Sequence, residues 1–172
     1  ATNVSITGAP WGAVRIDGGS FSGDQLTIDQ STAYGAHFDG GAVGTITNST
    51  ITNTAYTDDG SGSIFDGVGI YATGLSSVTT DGNVYTDNIF ASAYAEVADM
   101  SLNNDVADNT LGQYYGVIGD TGLVTLTNCT IANAYSWGVA TVTGALVLVN
   151  TDVSTSPELS FTSSIDKKGN IS

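Results

Sequence analysis

Thr45-Ile46-Thr47-Asn48-Ser49-Thr50-Ile51 and Thr125-Leu126-Thr127-Asn128-Cys129-Thr130-Ile131 are two copies of one phrase. Each alternates a small polar residue with an aliphatic one, halts at an Asn, and resumes the alternation. That is a half-buried strand, a tight corner and a second strand. Related segments lie between and beyond them: Leu26-Thr27-Ile28, Ser77-Val78-Thr79, Met100-Ser101-Leu102-Asn103 and Leu146-Val147-Leu148-Val149-Asn150. A further short strand in each unit carries Ile51, Val84, Val106, Ile131 or Val153.

The start of each unit is also recognisable: Trp11-Gly12-Ala13-Val14-Arg15-Ile16, Tyr34-Gly35-Ala36-His37-Phe38, Asp66-Gly67-Val68-Gly69-Ile70, Tyr115-Gly116-Val117-Ile118 and Trp137-Gly138-Val139-Ala140. The glycines at 12, 35, 67, 116 and 138 are 23, 32, 49 and 22 residues apart. The 49 reads as two units, the middle one degenerate around Tyr94-Ala95-Glu96-Val97. The 32 reads as one unit with a polar loop inserted near residues 57–65. Three short strands in about 22 residues form one coil of a parallel β-helix, which buries its inward side chains only by stacking on its neighbours. The expected architecture is all-β, a right-handed parallel β-helix of about six coils over residues 1–156, with residues 157–172 as a C-terminal strand or tail. Val14, Ile28, Ile46, Val78, Leu126 and Leu148 are expected to point inward. The alternative is a β-sandwich or jelly roll, which also has short alternating strands.

On its repeat length, its Thr-Ile-Thr-Asn-Ser-Thr-Ile and Thr-Leu-Thr-Asn-Cys-Thr-Ile segments and its Gly-Val starts, the chain resembles the right-handed parallel β-helix repeat proteins of the pectate-lyase-like superfold. The resemblance implies an architecture and does not imply an activity.

Composition narrows the function. The chain has 172 residues, 41% of them hydrophobic and 12% charged, with 17 acids against Arg15, Lys167 and Lys168, a formal charge of −14. Phosphate backbones need clustered Lys and Arg, so nucleic acid is excluded as a partner. No apolar run is long enough to insert into a membrane as a helix. Cys129 is the single cysteine, so no intrachain disulfide forms.

Candidate sites are few. Trp11, Tyr34, Tyr115 and Trp137 share one position in the repeat and, if they point outward, form a column able to stack on sugar rings. Asp58, Asp59 and Asp66 are the expected location for calcium, the one cofactor the sequence suggests. Asn3 and Asn170 are the freer N-glycosylation sequons. Asn48, Asn128 and Asn150 follow equivalent strands and are expected to stack inside a turn, each amide satisfying backbone groups of adjacent coils. Thr45, Thr47, Ser77, Thr79, Thr125 and Thr127 form an outward threonine-rich face, interrupted by Asp99, Val147 and Val149. Catalysis is expected to be missing. Arg15 is the only base within the coils, and His37 lacks both a Gly-His-Gly setting and a marked partner. No hydrolase elbow or metal-ligand set can be assembled. The expectation is an extracellular or cell-surface structural or adhesive module that self-associates or joins neighbouring chains. Glycan binding through the aromatic column is the alternative.

Overall fold

A computed structural model describes residues 1–56, 66–108, 115–153, 160–161 and 165–168. Among them there is no helix. The strands wind into three parallel sheets that form the faces of one solenoid. Sheet A holds six short strands: Ser5–Thr7, Thr27–Asp29, Thr50–Thr52, Val84–Thr86, Val106–Asp108 and Thr130–Ala132. Sheet B runs through Gly12–Asp17, Tyr34–Asp39, Val68–Ala72, Ala91–Ala95, Tyr115–Gly119 and Trp137–Thr141, and ends on Ser160–Phe161. Sheet C runs through Ser20–Asp24, Val43–Thr47, Ser77–Asp81, Asp99–Asn103, Leu123–Thr127 and Ala145–Val149, and ends on Ile165–Lys168. Every ladder is parallel, which removes the jelly-roll alternative. About six coils are complete. The C-terminal segment adds a strand to sheets B and C of its own solenoid, pairing with Ala140–Thr141 and Leu146–Val149.

The core is the interior of the tube. Ile28, Ile46, Val78, Leu126 and Leu148 are fully buried there as expected, and Val14 packs against the same cluster from the first coil. In sheet A the inward column is Ile28, Ile51, Tyr85, Ala107 and Ile131. Val84 and Val106 of the same sheet point out, because Tyr85 and Ala107 hold the inward register.

The register also corrects the repeat alignment. Gly12 pairs with Tyr34, so Trp11 lies one residue ahead of the column that holds Tyr34, Val68, Ala91, Tyr115 and Trp137. Gly35 is equivalent to Gly69, not Gly67, and the degenerate unit holds Ser92 at that place. At Gly35, Gly69 and Gly116 the next coil comes too close for a side chain. A Cβ on Gly69 would stand 2.5 Å from the Ser92 carbonyl oxygen, and one on Gly35 2.6 Å from that of Gly69. Thr50 pairs with Val84, 34 residues on, where Thr27 pairs with Thr50, 23 on. The extra length falls where the insertion was expected, although residues 57–65 lie outside the described residues.

The asparagine corner differs from expectation. Asn48, Asn104, Asn128 and Asn150 all take left-handed φ, between 47° and 53°, and face solvent. The turn needs φ > 0, and Asn tolerates it better than other side chains. Their amides form an outer ladder: Asn48 Nδ2 donates to Asp24 Oδ1 at 2.9 Å, Asn104 to Asp81, Asn128 to Asn104 at 3.2 Å and Asn150 to Asn128. The donations from Asn48 and then Thr47 hold the Asp24 carboxyl below its usual range. The inner ladder belongs to the next residue in each coil. Ser49 Oγ accepts from Leu26 N, Asn83 Oδ1 from Ser49 N at 2.8 Å, and Asp105 Oδ1 from Asn83 N at 2.7 Å. Cys129 and Thr151 continue it, donating to the carbonyls of Leu102 and Leu126. Burial pushes the Cys129 thiol up to about 11, so it stays a protonated donor.

Candidate functional site: the outer face of sheet B

Each strand of sheet B is kinked at the glycine position, where one residue drops out of the ladder. The residue before the kink and the second residue after it therefore both face away from the tube. The first outward column is Tyr34, Val68, Ala91, Tyr115 and Trp137. The second is Arg15, His37, Tyr71, Tyr94 and Ile118. Val68, Tyr71, Ala91, Tyr94 and Ile118 of these columns form, with Phe90, a hydrophobic cluster separate from the solenoid core, and Tyr34 and Tyr115 pack against it.

The rings of this face touch in sequence along the solenoid axis. Tyr34 and His37 have centroids 4.9 Å apart, Tyr34 stacks on Tyr71 at 4.9 Å, and Tyr71 meets Tyr94 at 5.3 Å. Phe90 links Tyr94 at 6.1 Å to Tyr115 at 5.3 Å, and Tyr115 stacks on Trp137 at 5.6 Å. This ribbon crosses five coils, close to 20 Å at the strand spacing of about 4.8 Å. Its middle is covered and its two ends are open: Tyr71, Phe90 and Tyr94 are buried, Tyr34 and Tyr115 are half-buried, Trp137 is 36% exposed and Trp11 63%. Tyr56 and Tyr135 are exposed as well.

Carboxylates are threaded among the rings. Tyr71 Oη donates to Glu96 Oε2, and the Tyr34 hydroxyl donates to buried Asp66. Burial, then the charges of Asp66 and Glu96, push the Tyr34 phenol up to about 12. Burial raises Tyr71 and Tyr94 further, with Glu96 acting on both. These phenols therefore remain hydrogen-bond donors at any physiological pH. His37 has a buried Nε2 with no hydrogen-bond partner. Burial, with help from Arg15, lowers its pKa against the opposing pull of Asp39 and Asp17, so the imidazole is neutral. Trp11, Gly12, Val14, Arg15, Tyr34 and His37 line a cleft of about 290 Å³ at the first-coil end.

Of the residues singled out in the sequence, Tyr115 and Trp137 are brought together, and Tyr34 stands at the other end of the same ribbon. Trp11 is near Tyr34 across the cleft, outside its column. Asp66 is buried against Tyr34. Asp58 and Asp59 lie outside the described residues, as does Asn170, while Asn3 is exposed at a left-handed corner. Among the described residues, no three His, Cys, Asp or Glu side chains come together in a way that could hold a metal ion. The sequence reading missed Tyr71, Phe90, Tyr94 and Glu96. Tyr71 and Tyr94 stand two residues after Gly69 and Ser92, as His37 follows Gly35; aligning on Gly67 hid that spacing.

A family model described as the right-handed beta helix region matches residues 3–164. The chain belongs to the right-handed β-helix family. No curated protein and no solved structure matches it. Membership in the β-helix family fixes the winding and leaves catalysis open, since the family holds enzymes and non-enzymes. No helix among the described residues of this β-helix is long and apolar enough to cross a membrane.

Proposed function

We propose that this β-helix is an extracellular adhesive module, without catalytic activity, that holds neutral glycans on the outer face of sheet B. The observation that carries the reading is the aromatic ribbon with open ends. Sugar rings present flat C–H faces that stack on Trp and Tyr, and their hydroxyls pair with carboxylates and imidazole nitrogens. Tyr115 with Trp137 forms one platform. Trp11 with Tyr34, over the first-coil cleft, forms the other. A chain of charge −14 repels polyanionic polymers such as pectate, which favours neutral glycans.

The chain has only two tryptophans, one at each platform, so intrinsic fluorescence reports both ends. Titration with neutral oligosaccharides of increasing length is expected to shift tryptophan emission. Trp137→Ala and Trp11→Ala should each weaken binding by about tenfold. Heat and fluorescence that stay flat for every glycan, or affinity unchanged in both variants, overturns the reading. Incubation with pectin-like polymers is expected to release no product. Turnover that disappears in Arg15→Ala would show that the first-coil cleft is catalytic.

A further inference from the structure

We propose that the Asp39–Gly40 bond is a site of self-modification, at which the folded chain closes a succinimide that water reopens as isoaspartate. Five Asp–Gly pairs occur in the sequence, beginning at Asp17, Asp39, Asp59, Asp66 and Asp81, and the pair at Asp59 lies outside the described residues. Glycine after an aspartate leaves the next amide nitrogen open to attack the carboxyl, because no Cβ shields it. Sequence alone ranks the pairs alike, and the winding separates them. Gly18 N donates to the Asp39 carbonyl at 2.9 Å, Gly67 N to that of Ala33 at 2.7 Å and Gly82 N to that of Asn103 at 2.9 Å. Each of these amides is engaged by a neighbouring coil. Gly40 N donates instead to the side chain before it, Asp39 Oδ1, at 2.6 Å.

The cause is the length of the corner between sheets B and C. Asp17 pairs with Asp39 and Ser20 with Val43, so two residues turn this corner in the first coil and three in the second. In the longer turn Gly41 N reaches the next coil, donating to the Gly74 carbonyl at 2.8 Å, and Gly40 N is left to the carboxyl. Gly74 makes room for that carboxyl, since a Cβ there would collide with Asp39 Oδ1. Gly40 and Gly41 are exposed, so water reaches the site. With Oδ1 2.6 Å from Gly40 N, Asp39 Cγ lies one C–O bond of about 1.2 Å further on, and so no more than about 3.8 Å from that nitrogen. This approaches the separation at which two groups are poised to react. The nitrogen attacks Cγ of the protonated carboxyl. The N–Cγ bond forms, the Cγ–OH bond breaks, and the hydroxyl leaves with the amide proton as water, closing a five-membered imide. Water then opens the imide on either side. Breaking N–Cγ restores Asp39. Breaking the bond from N to the main-chain carbonyl carbon routes the chain through Cβ and Cγ, one atom longer, and takes the Asp39 carbonyl that accepts from Gly18 N and Ala42 N out of the main chain. Water is the only co-reactant, and the proposal does not depend on glycan binding.

The test ages the whole folded chain in heavy-oxygen water at mildly acidic pH, where the carboxyl is partly in the electrophilic neutral form, followed by peptic digestion and mass spectrometry. Each passage through the imide leaves one heavy oxygen in the product, and an isoaspartyl methyltransferase marks the rearranged bond. The peptide holding Asp39 is expected to take up label at least about tenfold faster than those holding Asp17, Asp66 and Asp81. In chain unfolded by urea the four should label at similar rates. Asp39→Glu should lose the label at that peptide, because a six-membered imide closes far less readily, and should leave the other three as in the parent. Uptake at Asp39 no faster than at the other three, or label that persists in Asp39→Glu, overturns the proposal. So does the same preference for Asp39 in the unfolded chain, since the fold would then not be its cause.

Discussion

Leu126→Asp is expected to abolish the folded chain at neutral pH, leaving a far-UV circular dichroism spectrum without its β signature. Leu126 is fully buried and stands in register between Leu102 and Leu148, both fully buried as well. Among the side chains described, the ladder neighbours of Leu126 are both leucines, and Arg15 lies far off in the first coil on sheet B. Losing the leucine costs about 2–5 kcal/mol, and burying an unpaired charge adds several more. Against a total stability on the order of 5–15 kcal/mol, the sum removes the native state. Thr125→Asp is the matched control. Its neighbours across the ladder are Ser101 and Val147, and its side chain faces away from the tube, so a change within about 0.5 kcal/mol is expected. If Leu126→Asp melts like the parent, or if Thr125→Asp unfolds as readily, the inward and outward assignment of sheet C is wrong.

The winding was legible because it rests on period-two alternation and on recurrence, both of which are written in single residues. Thr45 to Ile51 and Thr125 to Ile131 specify two strands and a corner without any tertiary information. The aromatic ribbon was only half legible, because it depends on the register between coils. An error at one glycine, Gly67 for Gly69, moved every outward position of the third coil by two and hid Tyr71. The asparagine corner was misplaced for a different reason. Sequence marks which residue sits at a corner, but whether its side chain lies inside or outside follows from the sign of φ. Left-handed φ turns Asn48, Asn128 and Asn150 outward and hands the interior to Ser49, Cys129 and Thr151. No composition signal distinguishes Ser, Asn, Asp, Cys and Thr as one functional column. They share it because each can hydrogen-bond the backbone of an adjacent coil from a small volume.

Asp105 is the costliest member of that column and should make the solenoid most stable in mild acid. Its carboxylate is buried inside the tube, accepting from Asn83 N at 2.7 Å, from Thr80 Oγ1 and from Tyr85 Oη at 3.4 Å, with no cation beside it. Burial pushes its pKa up to about 6 from 3.8, and the hydrogen bonds from Thr80, Asn83 and Tyr85 recover only part of the loss. The folded state therefore holds the proton more tightly than the unfolded chain. Below the unfolded value of 3.8 both states are protonated and Asp105 costs nothing. As pH rises through the interval up to about 6, the unfolded chain ionises first and stability falls. Above that the penalty is complete, about 3 kcal/mol, since each tenfold difference in proton affinity between the two states is worth about 1.4 kcal/mol. Asp105→Asn keeps an acceptor for Asn83 N, and its amide can donate to the Thr80 and Tyr85 oxygens. The variant should melt higher than the parent at pH 7, by roughly 6–12 °C, and the two curves should converge near pH 4. The other acids titrate equally in both proteins, so the difference between the curves isolates this one carboxyl. Parallel melting curves from pH 4 to 7, or an Asn variant less stable at neutral pH, would mean that Asp105 is held as a favourable anion and that the polar interior stabilises the fold through charge.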